Sequence, residues 1–424
     1  MGRSSQVLLD IDELANTIRE KLEILHPLSD ECCIYRVPDR LRQLNHKAYT
    51  PRVLSIGPLH HGGKELQAME EHKNRYLQDF LRLSGVSLED CIQIFQQCEI
   101  RLRNCYAETI QLSSNDFVKM MLLDASFIIM LFLKHCFGDL RNRIRNDRIY
   151  NKPWLILDIR FDLILLENQI PFFILEDLFM LSNIPTRLEG VSIVKLVYEF
   201  FRDGWDSWVK ADVLERHSSF KIEHILDFLR ICQQPSELQP HKELRMLVVP
   251  STTELYQAGV KFQLSSSKNV LDIKFKNGIL EIPRFRIVDQ TEILLRNLQA
   301  FEQCHCLDNY VGDYIAMMAM LVNSANDVEL LSQNGIIENW LRSNEALAAL
   351  FREVEKENIV FPDRYCFSAV IEDLNVHCRA PWHKWKANLK QNYFNTPWVG
   401  ISVVAAAILL FLTVIQTVCS LLQV

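Results

Sequence analysis

From residue 398 to the C-terminus the chain carries no Asp, Glu, Lys or Arg, and the stretch is dense in Val, Ile, Leu, Ala and Phe. A run of this kind has two homes, a protein core or a lipid core. As a helix rising ~1.5 Å per residue it is long enough for a hydrocarbon layer of ~30 Å. A core helix would need further protein after it to cover its faces, so the sequence predicts a single C-terminal transmembrane helix over 397–424.

The N-terminal end bears on compartment. Residues 1–30 read as an amphipathic helix, with Val7, Leu8, Ile11, Leu14, Ile18, Leu22 and Leu25 interrupted by Asp10, Asp12, Glu13 and Arg19. This is not the uncharged core of a secretory signal. Gly2 is followed by Gln6 where a myristoylation motif needs Ser or Thr. The expectation is a tail-anchored, single-pass protein. Arg379, Lys384, Lys386 and Lys390 precede the span, which places the N-terminal domain in the cytosol. The plasma membrane is the expected location, with the endoplasmic reticulum as the alternative.

Between the two ends lies the bulk of the chain, and it holds the whole formal charge of −7. An acidic balance excludes general nucleic-acid binding. The twelve cysteines fit a reducing compartment, because Cys91, Cys98, Cys105 and Cys136 sit in apolar helical contexts.

Apolar periodicity then sets the fold class. Residues 66–81 and 92–106 repeat at helical spacing, and 117–137 is apolar enough to suggest a second span. Lys119, Asp124 and Lys134 cut that run to nine uncharged residues, so it reads as a central core helix. Segments 155–166 and 172–181 meet at Gln169-Ile170-Pro171, where proline forces a break. Further helices are expected near 191–201, 222–231, 252–258, 291–304, 310–322, 328–331, 345–355 and 365–377. Asn277-Gly278 between apolar runs signals a β-hairpin, and Asp289 with Glu292 resembles a capping box.

The predicted architecture is mainly α. It comprises an N-terminal amphipathic helix (1–30), a helical lobe (31–235) and a lobe with one small β-hairpin insertion (236–380). The two lobes can form one domain. A juxtamembrane amphipathic segment (381–396) and the membrane helix (397–424) follow.

Candidate interaction residues fall in three groups. The first is the loop-like basic block with Arg36, Arg40, Arg42, Arg52, His60 and His61, broken by Pro38, Pro51 and Pro58. It could present donors to an acidic peptide, a phosphate or anionic lipid. The reading the sequence favours is that these cations pair with the acidic excess and pin an irregular segment onto the helices. The second group is interfacial: Trp382, Trp385, Lys384, Lys386, Lys390 and Trp398. The third is Thr413, Gln416, Thr417 and Ser420, which share one face of the last helix and could pair it with a second copy or another membrane helix.

No hydrolase elbow, P-loop or dinucleotide fingerprint occurs, and His60-His61 lacks the i, i+4 spacing of a helical metal pair. No catalytic, metal or cofactor-binding residue is assigned, and no cofactor is expected. Asp158 and Asp162 are four apart, hence on one helical face. The expectation is that core arginines neutralise them or that they cap neighbouring segments.

Several long motifs carry a resemblance: IYRVPDRLRQLNHKAYTPRVLSIGPLHHGGKELQAMEEHKNRYLQDFL from Ile34, LILLENQIPFFILEDLF from Leu163, and LDIKFKNGILEIP from Leu271. TEILLRNLQAFEQC from Thr291 and the C-terminal YFNTPWVGISVVAAAILLFLTVIQT match as well. From about Cys32 onward the chain resembles the plant family called domain of unknown function 247. The resemblance implies a plant-specific protein with a C-terminal membrane helix and no established enzymatic activity. Some grass members are implicated in pollen-side self-incompatibility, which implies recognition at a membrane. Where the family pattern reads Asp-Gly-Cys-Phe, this chain has Asp124-Ala125-Ser126-Phe127, so no reactive cysteine is carried at 126.

The reading that results is a non-enzymatic recognition or signalling protein that binds an unidentified protein through its helical part. The alternatives are a membrane-tethered enzyme, with His60, His61 and the carboxylates of 158–167 in one pocket, and an anionic-lipid binder.

Overall fold

The computed structural model describes residues 11–19, 22, 29–142, 147–182, 184, 191–205, 208–210, 214–215, 220–235, 248–379 and 397–422. At its centre lies the helix that the apolar run demands. Helices α1 (Ala68–Ser84), α2 (Leu88–Asn104) and α3 (Ser114–Cys136) follow one another, and α3 is buried on all sides from Phe117 to Lys134 apart from Lys119. A helix buried all round must be apolar all round. Ser87 and Ser113 cap α2 and α3 by accepting the third-residue N–H in each case.

Around α3 pack α1, α2, α5 (Phe172–Leu181) and α6 (Ile193–Arg202), with α4 (Pro153–Asp162) preceding α5. The expected break at Pro171 is present: Pro171 is extended and starts α5. Helices α7 (Ile225–Ile231) and α8 (Thr252–Gln257) lead to the β region.

Strands β2 (Lys274–Lys276) and β3 (Ile279–Ile282) pair antiparallel through Asn277-Gly278, whose φ angles are 53° and 78°. Both turn residues occupy the left-handed region, as the two-residue hairpin requires. The hairpin is not alone. β1 (Lys261–Leu264) adds parallel to β3, and β4 (Phe285–Ile287) pairs parallel with β5 (Ile337–Asn339). These strands of three or four residues carry too little alternation to announce themselves.

Helices α9 (Thr291–His305), α10 (Tyr310–Leu321), α11 (Ala325–Gln333), α12 (Asn344–Glu355) and α13 (Ser368–Arg379) complete the second half. The expected capping box at Asp289 is not formed. Glu292 instead reaches Asn45 and Arg296 at 2.9 and 2.8 Å, and Thr291 Oγ1 accepts the Val288 N–H. Both halves share one continuous apolar core. Asn297 of α9 crosses between them, accepting the Leu166 N–H and donating to the Ala48 carbonyl.

The expected transmembrane helix is corrected by the structure. The last helix, α14 (Pro397–Leu422), does form. Among the described residues, however, no helix is long and apolar enough to cross a membrane. Along α14, Ser402, Thr413, Gln416, Thr417 and Ser420 interrupt the apolar run. Thr413 and Thr417 donate to the carbonyls of Leu409 and Thr413 at 2.7 and 2.8 Å. These hydroxyls satisfy themselves on their own helix. The fold is mainly helical with small sheets, and the membrane, single-pass and tail-anchored expectations fall with the span.

Candidate functional site

The backbone of residues 36–64 poses a problem of hydrogen bonding. After an isolated bridge between Ile34 and Tyr106, the chain makes only short helical turns at Asp39–Arg42, His46–Tyr49 and Lys64–Leu66. Leu54, Ser55, Ile56 and Gly57 are nevertheless buried. Buried peptide groups outside a helix or sheet ladder need other partners.

Side chains supply them. Asp162, at the end of α4, accepts the backbone N–H groups of Arg52, Val53 and Leu54, each at 2.8 Å. Asn168 accepts from the Ile56 N–H at 2.7 Å and donates to the Leu54 carbonyl at 2.9 Å. Asp124 of α3 accepts the Gly57 N–H at 2.8 Å, and Lys73 of α1 donates to the Ser55 carbonyl at 2.6 Å. Gln169 shapes the clamp itself, donating to the carbonyls of Leu163 and Leu165. The polar residues inside the apolar motif from Leu163 are therefore a buried template for an irregular segment.

Glu167 is the electrostatic centre of this clamp. Its carboxylate is about 1% exposed and accepts the Val37 N–H at 2.7 Å. Arg42 bonds the same oxygen, Arg36 lies 3.8 Å from the other, and His60 Nε2 approaches that second oxygen to 3.2 Å without hydrogen-bond alignment. Burial alone would raise the Glu167 pKa. His60, the Val37 N–H and Arg42 together hold it below the usual glutamate value. At Asp162 the balance goes the other way, and burial pushes its pKa up to about 7 against the three N–H donors.

The remaining predicted cations disperse. Arg36 also pairs with Glu108 at 2.8 Å, and Arg52 with Asp158 at 2.9 Å. Arg40 turns to the second half of the chain, donating to the Glu357 carbonyl at 2.9 Å. His61 is exposed. Trp382, Trp385, Lys384, Lys386 and Lys390 lie outside the described residues, as do the side chains of Trp398 and Ser420. Gln416 is exposed on α14.

As chemistry, the arrangement is a set of charges used up in holding backbone. Of the two histidines, only His60 approaches a carboxylate of the 158–167 group. Asp158 and Asp162 are committed to Arg52 and to peptide groups. Among the described residues no His, Cys, Asp and Glu cluster could hold a metal ion. Two clefts are formed elsewhere: one of about 280 Å³ bounded by α2, α5 and residues 220–223, and one of about 430 Å³ beside the C-terminal end of α3. Neither is lined by His60, His61 or Glu167.

Sequence reasoning missed Asn168, Lys73 and Asp124 as parts of the clamp. The available signal was polarity out of place: Asp124 in the most apolar helix, and Glu167-Asn168-Gln169 inside an apolar run.

Comparison with known proteins follows the same residues. A family described as plant protein of unknown function, DUF247, matches over residues 34–412. The UPF0481 protein At3g47200 of Arabidopsis thaliana is 31% identical, covering 97% of this chain and 90% of its own length. The putative UPF0481 protein At3g02645 of the same plant is 22% identical over 90% of this chain and 89% of its own. No solved structure matches. The chain, from the basic segment through the clamp that holds it to the last helix, belongs to the plant DUF247 family of unknown function.

Proposed function

We propose that this chain is a non-enzymatic recognition protein that binds another protein through its helical body, using the clamped segment as its contact surface. The observation that supports the reading is the fate of that segment. Its backbone is fixed from within by Asp162, Asn168, Asp124 and Lys73, while Arg36, His46, Lys47, His61 and Lys64 stay exposed on its outer side. An irregular loop held on a rigid scaffold is the usual form of a binding surface. The exposed charges select an acidic partner surface.

The test is affinity capture from the protein's own tissue. Wild type is compared with a variant in which His46, Lys47, His61 and Lys64 are all Ser. The reading expects one reproducible partner to be lost while the circular dichroism spectrum is unchanged. An unchanged set of captured proteins would overturn it. Capture of acidic liposomes alone, lost in the same variant, would replace the protein partner with a lipid surface.

A further inference from the structure

The cleft of about 280 Å³ has a built charge arrangement that the clamp does not use. Arg101 comes from α2 and Lys221 from the segment that precedes α7. Both reach the same carboxylate, that of Glu31, in the N-terminal segment. Arg101 Nε lies 3.5 Å from one Glu31 oxygen and its Nη2 lies 3.5 Å from the other, while Lys221 Nζ is 3.4 Å away. The geometry is a two-pronged guanidinium grip supported by an ammonium, the arrangement suited to a carboxylate.

The grip is stretched. Charge-assisted N–H···O bonds settle near 2.7–2.9 Å, and every contact to Glu31 is longer than that. The grip itself is pre-set. The Arg101 guanidinium carbon sits 3.7 Å above the Phe173 ring, and the Phe172 N–H is bonded to the Glu223 carbonyl at 2.7 Å, which ties the two walls together. Phe173, Val194 and Phe220 give the cleft an apolar side next to the two cations. Glu176 and Glu223 line it as well, and Glu223 pairs with Lys221 at 3.0 Å.

We infer that this cleft is a binding site for a small monocarboxylate with an apolar body, and that Glu31 occupies the carboxylate position as an intramolecular placeholder. A ligand carboxylate displaces the Glu31 side chain, which is 36% exposed and swings into water at little cost. Its apolar body lies against Phe173, Val194 and Phe220. Glu176 repels a second negative charge, so a dicarboxylate binds less well. The site is independent of the protein-binding surface proposed above, since it shares no residue with it.

The probe is benzoate, followed by ligand-observed NMR on the full-length protein. The inference expects benzoate to bind wild type, benzyl alcohol not to bind, and phthalate to bind more weakly than benzoate. Glu31→Gln releases the grip and tightens benzoate roughly twofold to fivefold, the factor of one exposed ion pair. Adding Arg101→Gln to Glu31→Gln abolishes binding. Because Arg101 also packs on Phe173, Lys221→Gln serves as the second variant and weakens benzoate without changing the circular dichroism spectrum. Equal binding of benzyl alcohol, no tightening in Glu31→Gln, or no benzoate binding at all would each overturn the inference. A peptide ending in phenylalanine that binds more tightly than benzoate would overturn the small-acid assignment in favour of a chain terminus.

Discussion

Lys73 Nζ lies 2.6 Å from Asp124 Oδ1, and each side chain is about 1% exposed. Around this pair Glu70 Oε1 adds a second carboxylate to Lys73 at 2.7 Å, and the Ser55 carbonyl accepts from the ammonium. Burial opposes the charge on Lys73, but Asp124 and Glu70 outweigh it and raise its pKa. A cation sealed in the core is tolerable only with such partners. The pair joins α1 to α3 and fixes residues 55–57 between them.

Removing one member leaves the other charge buried and unpaired. Lys73→Met is expected to destabilise the protein by about 3–5 kcal/mol, read as a lower urea midpoint. Adding Asp124→Asn removes the stranded charge while keeping an acceptor for the Gly57 N–H. The double variant should therefore recover part of the loss. A double variant less stable than Lys73→Met would refute the ion-pair account.

Glu167→Gln keeps an acceptor for Val37 but removes the charge that Arg36, Arg42 and His60 surround. Arg42 and His60 are partly exposed and rehydrate, so the cost is moderate, about 1.5–3 kcal/mol. Faster hydrogen exchange at the Val37 amide should report local release of the segment. Protection at buried amides of α3 should stay the same.

Two glycines form a matched pair. Gly57 has φ +70° and a Cβ there would sit 2.5 Å from the Gln169 carbonyl oxygen, whereas Gly62 has φ +81° with open space around it. Gly62→Ala meets only the left-handed backbone penalty of about 1–2 kcal/mol. Gly57→Ala adds a clash with backbone, so its urea midpoint should fall clearly below that of Gly62→Ala. Equal midpoints would show that the segment moves freely over Gln169.

His224 makes acid stability testable. The ring is fully buried, with Nε2 3.2 Å from the Cys33 carbonyl oxygen and Nδ1 accepting the Asp227 N–H at 3.1 Å. Those two bonds need the neutral ring. Burial lowers its pKa to about 3 from an ordinary value of 6.5. The unfolded chain therefore binds the proton first as pH falls. The contribution of His224 is complete above about 6.5 and is lost progressively from there down to about 3. Nearby Asp227, raised by burial to about 6, acts in the opposite sense below that value. His224→Gln should flatten the fall in urea midpoint between pH 6.5 and 5, and an unchanged slope would remove His224 as its cause.

The helical class was legible because period and length are local properties. The 117–137 run, cut by Lys119, Asp124 and Lys134, had to be a buried core helix, and Asn277-Gly278 had to turn a hairpin, since each follows from adjacent residues. The pairing of loop cations with acidic residues was also legible, from the charge balance around Pro38, Pro51 and Pro58. Tertiary structure alone decided the partners. That Asp162 would serve three peptide groups of 52–54, and that Glu167 would gather Arg42 and His60, depends on contacts more than a hundred residues apart in sequence. The parallel pairing of Phe285–Ile287 with Ile337–Asn339 is hidden for the same reason. The uncharged C-terminal run shows the limit most sharply. Its composition determined a helix. Whether that helix could cross a bilayer was decided by the structure, in which no helix among the described residues is long and apolar enough.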